Sequence, residues 1–156
     1  MKGTSIFLTV FALTSGVLFA QPNGLTEEWE IFKQNYPGNS IVHWDSLSGG
    51  VKRLVANDVY LKSKNIHLTN VESEVRLFLN ENRDLCNFSD SEIILKDIDE
   101  LGERFIVTYQ QQFHNIPLWN VNLKIKVNTA GQVLMIKSPL FSDLSISTQP
   151  SVKSTL

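Results

Sequence analysis

Across residues 104–127 apolar and polar positions alternate with period two, first up the chain and then back. Phe105, Val107, Tyr109, Gln111 and Phe113 share one face of a first strand, because successive strand side chains point to opposite sides. Leu118, then Leu123, Ile125 and Val127, give a return strand its apolar side. The turn falls at 114–117: Asn115 tolerates a left-handed backbone, and Pro117 lacks the N–H that a central strand needs. Gln110, Gln111 and Gln112 are unusual strand residues. A glutamine amide both donates and accepts, so this row is suited to pairing with another backbone.

The remaining pattern builds a domain around this pair. Thr26 can cap a short helix whose early acids suit the N-terminal dipole, with Trp29, Phe32 and Lys33 on one side and a stop before Pro37-Gly38. Strands follow at 41–44 and 51–55, joined at Ser48-Gly49-Gly50. Val71, Val75, Phe78 and Leu79 have the spacing of a buried helical stripe, which predicts a helix over 71–83 with Leu85 closing it. Glu72 and Arg76, four apart, are placed on its wet side. Strands at 93–98, 103–113, 118–128 and 132–137 complete the series. Strands after helices predict an α+β fold: an antiparallel sheet of about four to six strands packed against one or two helices.

Composition narrows the address more than the chemistry. A chain of 156 residues, 42% apolar, makes one domain, and a net charge of -2 with scattered basic residues gives no reason to expect a nucleic-acid partner. Lys2, the apolar run 6–19 and the small Ala20 read as a secretory signal peptide (1–20) cut between Ala20 and Gln21, so the protein is expected outside the cytoplasm, extracellular or periplasmic. The run is shorter than the roughly 20 residues a span needs and is broken by Thr9, Thr14 and Ser15, so no stable membrane anchor is expected. No lipobox cysteine lies near the cut. Cys86 is the only cysteine, so no intramolecular disulfide forms; it is read as a buried small hydrophobe. From Ser142 the composition turns to Ser, Thr, Gln, Pro and Lys, and 148–156 reads as a linker or the start of a second module.

The central pair carries a family resemblance. It is similar to the core of the FTP domain, the propeptide domain of fungalysin-type and thermolysin-type secreted metallopeptidases, whose motif runs roughly R-[YF]-x-Q-x-Y-x-G-[VIL]-P-V-[FW]-G. Tyr109, Gln111, Pro117 and Trp119 match directly; Phe113, Ile116 and Leu118 match in kind; Gly131 supplies a later turn. Thr108 stands where the motif has Arg, and Lys126 where a His is frequent. Asn115 and Asn120 stand where it has Gly, and Asn is the non-glycine residue most at home at positive φ. The resemblance covers about Leu25 to Ile146, within a domain expected over 21–147. It implies an N-terminal propeptide module of a secreted zinc metallopeptidase precursor, an intramolecular inhibitor and folding assistant without catalytic activity of its own. Its implied partner is the cognate catalytic domain, in cis. Any zinc would sit in that domain, outside this segment, and Tyr109, Gln111, Phe113, Asn115, Pro117 and Trp119 are the residues to watch as contacts.

The residues themselves offer little reaction chemistry. There is no H-E-x-x-H, and His43, His67 and His114 each lack a His or Cys three to five residues away, so no metal ligand is assigned. No catalytic residue is assigned either. Asp97, Asp99 and Glu100 form the one acid cluster that a small hydrolase could use, but solvated strand ends are the commoner outcome. Asn87-Phe88-Ser89 fits a glycosylation sequon. Trp29, Trp44 and Trp119 are expected mainly in the core, with Trp119 the best exception. A secreted binding module, adhesin or carbohydrate-binding, is the alternative that the tryptophans and the glutamine row support.

Overall fold

The computed structural model of the chain describes residues 26–46, 50–86, 88 and 92–141. The signal-peptide cut at Ala20 and Gln21, the turn residues Ser48 and Gly49, the sequon residues Asn87 and Ser89, and the segment 148–156 lie outside the described residues. The fold is α+β. Two helices, α1 (Thr26–Asn35) and α2 (Val71–Glu81), accompany six strands: β1 (Ile41–Trp44), β2 (Val51–Val55), β3 (Glu92–Glu100), β4 (Arg104–Phe113), β5 (Ile116–Asn128) and β6 (Val133–Lys137). All six form one antiparallel sheet in the order β1-β2-β6-β5-β4-β3.

One sheet face is the core. Leu54, Phe105, Val107, Tyr109, Leu123, Ile125, Val127, Val133 and Ile136 are buried there. Helix α2 covers them with Val71, Val75, Phe78 and Leu79, the expected stripe. It ends at Glu81, two residues sooner than the pattern predicts. Asn82 turns back, its side-chain amide donating to the Phe78 carbonyl at 2.8 Å. Helix α1 adds Trp29 and Phe32, stacked at 5.6 Å, with Trp44 edge-on to Trp29 at 6.3 Å. Glu72 and Arg76 do pair, at 2.7 Å, but not on the wet side. They sit at the helix–sheet boundary, where the Arg76 guanidinium lies 4.8 Å from the centre of the Tyr109 ring. The buried phenol under the helix draws that pair inward.

The connection 56–70 is the part that period counting does not show. It has no regular element, yet Val59, Leu61 and Ile66 are buried. Its backbone is satisfied by the β5–β6 turn: Leu61 N–H donates to the Gly131 carbonyl and Ile66 N–H to that of Thr129. Gly131 is needed for two reasons. Its φ is +78°, and a Cβ there would lie 2.2 Å from the Ser63 carbonyl oxygen.

Candidate functional site

The β4–β5 hairpin is built differently from a simple alternating pair. His114 and Asn115 have φ of 48° and 64°, so the connection is a two-residue turn of the I′ kind. The expected turn at 114–117 is therefore too long: β5 already starts at Ile116, and Pro117 sits in the strand opposite Gln112. Pro117 is tolerated there because the pairing of β5 with β6 begins only at Lys124, leaving the tip of β5 with a free edge.

A large bulge follows. Gln110 pairs with Asn122 and Gln112 with Pro117, so two steps along β4 match five along β5, an excess of three residues. Asn120, at φ 60°, turns the backbone inside this bulge. The amide of Gln110 fills the gap, donating to the Leu118 carbonyl at 3.0 Å. Had β5 stayed regular, Trp119 would share the buried face with Leu123 and Ile125. The bulge breaks the alternation and leaves Trp119 94% exposed.

The motif residues thus divide into two groups. Tyr109 and Gln111 are fully buried. The Gln111 amide clamps the chain after β6, donating to the Phe141 carbonyl at 2.6 Å and accepting from the Phe141 N–H at 3.1 Å. The glutamines do pair with backbone, as their chemistry suggests. Burial, and secondarily Glu72, raises the Tyr109 pKa, keeping the phenol neutral. Phe113 is half-buried and stacks on His114 at 4.2 Å. Asn115, Ile116, Pro117 and Trp119 are exposed and form the tip. The three tryptophans do not make one platform: Trp29 and Trp44 pack together beside α1, while Trp119 stands alone at the tip.

The second surface is the sheet face opposite the helices. A cleft of about 600 Å³ opens on it, lined by His43, Trp44, Lys52, Arg53, Met135 and Lys137. Periodicity within single strands gives no sign of it, because it arises from residues on three strands. Asp97 and Asp99 lie on this same face at the β3 edge, paired with Thr108 and Ile106. Glu100 pairs with Phe105 on the other, so the acid cluster of the sequence is split. His43, His67 and His114 are all exposed and far apart in the chain, and among the described residues no group of three His, Cys, Asp or Glu is placed to hold a metal ion. Cys86 is buried. Comparison with protein-family models, with curated proteins and with solved structures returned no match.

Proposed function

We propose that this chain is the N-terminal propeptide module of a secreted zinc metallopeptidase precursor, acting on the cognate catalytic domain in cis as inhibitor and folding assistant. The observation that carries the reading is the backbone of the hairpin. Asn115 and Asn120 stand at the two glycines of the FTP motif, and both have left-handed φ, 64° and 60°. Glycine is the residue most at home at left-handed φ, so the two Asn departures keep a backbone that glycine would also adopt, which supports the resemblance.

The work asked of such a module is binding without chemistry. A stable sheet holds Tyr109 and Gln111 as the buried root of the hairpin, and the exposed tip offers Ile116, Pro117 and Trp119 to a partner. An aromatic side chain fully in water gains most by being covered, and tryptophan is a frequent anchor of interfaces. A module that binds the near-native catalytic domain better than its unfolded forms stabilises that domain by linkage, which is folding assistance in thermodynamic terms.

The alternative, a secreted binding module without a peptidase, is favoured by the same exposed Trp119 and by the cleft at Trp44. The reading frame beyond Leu156 separates the two. The propeptide reading expects an H-E-x-x-H peptidase encoded in frame, and this chain, added in trans, should inhibit that peptidase and raise its refolding yield. A frame without a peptidase, or a peptidase indifferent to the folded chain, leaves the binding module.

A further inference from the structure

The two edges of the sheet are closed unequally. β1 is 4 residues long, whereas β3 runs for 9 and, among the described strands, pairs only with β4. An edge strand offers a row of backbone N–H and C=O groups as a template for another strand. The later half of β3 is guarded against this. Its register slips between Leu95 and Asp97, and Asp97, Asp99 and Glu100 place charge along it. The half before the slip is apolar. Ile93, Ile94 and Leu95 follow one another there, with Ile93 half-buried, Ile94 39% exposed and Leu95 42% exposed. Ile94 pairs with Gln110 and so lies on the open face, where the Lys96 amine donates to the Asn122 side chain at 3.4 Å. Ile93 and Leu95 lie on the helix-covered face, opposite Gln111 and Tyr109.

We infer that residues 92–96 pair antiparallel with the same stretch of a second copy of this chain, joining two sheets edge to edge. The strand is complementary to itself in one register. A two-fold axis normal to the sheet keeps every residue on its own face, so the residue at the axis meets its own counterpart. With the axis at Ile94, Ile94 meets Ile94, Ile93 stands opposite Leu95, and Glu92 stands opposite Lys96. The last two pairs each occur twice by symmetry. Apolar and opposite-charge pairs are both stabilising across antiparallel strands. Asp97, Asp99 and Glu100 then lie beyond the start of the other copy's β3, outside the overlap. Moving the axis to Leu95 sets Ile93 against Asp97 and Ile94 against Lys96. Moving it to Lys96 or Asp97 brings like charges face to face, and all three of these registers run through the slip. Moving it back to Ile93 sets Glu92 against Ile94 and shortens the overlap to 92–94. A foreign strand would have to supply this order of acid, apolar and basic residues, whereas a second copy supplies it by symmetry. The contact is small, so the association is weak and concentration-dependent. Glu92 pairs with Gln112, near the hairpin end of β4, so the antiparallel arrangement sends the two tips to opposite ends. The inference is therefore independent of the propeptide reading.

The test is sedimentation velocity of the full chain over a wide range of concentration, which should show a monomer passing to a dimer and to nothing larger. Ile94→Lys sets two like charges at the axis and should raise the dimer dissociation constant about tenfold or more. Lys96→Glu, which faces Glu92 with another acid, should weaken the dimer in the same direction. Combining it with Glu92→Lys should restore the dimer. Ile94→Cys should cross-link to its counterpart on mild oxidation, because opposed residues of antiparallel strands lie within disulfide reach and Cys86 is buried. Asp99→Cys should not cross-link. Trp119→Ala should dimerise as the parent does. Circular dichroism checks that each variant is folded, and the charge exchange and the cross-link carry the decision if Ile94→Lys unfolds. A chain that stays monomeric throughout, a dimer indifferent to Ile94→Lys, or a charge exchange that restores nothing overturns the proposal. Loss of the dimer in Trp119→Ala overturns it in favour of a contact through the hairpin tip, and an open-ended polymer in favour of β1 pairing with β3.

Discussion

Replacing Trp119 by alanine tests the exposed hairpin tip most directly. Trp119 is 94% exposed, so only about a twentieth of its surface is covered. A tryptophan buries up to roughly 250 Å² when packed. The area lost is then about 15 Å², which at about 25 cal/mol per Å² is about 0.4 kcal/mol. For a domain of this size that moves the melting temperature by about 1–2 °C. The same substitution at a core tryptophan costs about 3–5 kcal/mol. Urea unfolding followed by circular dichroism separates these outcomes without relying on the residue removed. Fluorescence gives a second, independent check: Trp29 is buried, so losing the solvated Trp119 should shift the native emission to the blue. For function, Trp119→Ala should raise the inhibition constant toward the in-frame peptidase about thirtyfold, the scale of an interface anchor worth about 2 kcal/mol. A loss of stability on the core scale would refute the bulge geometry that expels Trp119. Undiminished inhibition by a normally folded variant would refute the tip as the contact.

Three further outcomes follow from the geometry. Asn120→Val forces a β-branched residue into φ 60° and should cost about 1–3 kcal/mol in urea unfolding, whereas Asn120→Gly should stay within about 1 kcal/mol of the parent. Phe78→Ala removes the largest side chain of the α2 stripe and should cost about 3–5 kcal/mol, leaving the domain close to unfolding; an unchanged midpoint would mean α2 does not pack on the sheet. Stability should fall as pH rises above about 9. Burial pushes the Cys86 thiol from 9.0 up to about 12, so the unfolded chain sheds a proton in this window that the native state keeps. Tyr109, raised from 10.0 mainly by burial, adds to the loss above pH 10. Both contributions are fully present below pH 9, and Cys86→Ala should flatten the lower part of the decline; a pH-independent unfolding midpoint up to pH 10 would refute it.

The division between what the sequence shows and what it hides follows from the range of the interactions involved. Local periodicity was enough for the fold class, both helices and all six strands. A strand or helix with one buried face writes that face into its own sequence, as Phe105, Val107 and Tyr109 do along β4 and Val71, Val75 and Phe78 along α2. Two left-handed positions were also legible, Asn115 in the turn and Asn120 in the bulge, because Asn hints at such a backbone at the residue itself; His114, the other left-handed turn residue, was not. Three features were not. The position of Trp119 depends on a register slip of three residues between β4 and β5, and a slip is a property of two strands that neither strand's alternation encodes. The placement of Arg76 over the Tyr109 ring depends on how α2 crosses the sheet, which decides whether a pair at i and i+4 faces water or a buried ring. The clustering of three cations on the open sheet face depends on the order β1-β2-β6-β5, since Arg53, Lys137 and Lys124 are scattered in the chain and become neighbours only when β6 inserts between β2 and β5. Composition reported a mildly acidic chain, and the sheet order alone turned its scattered cations into one surface.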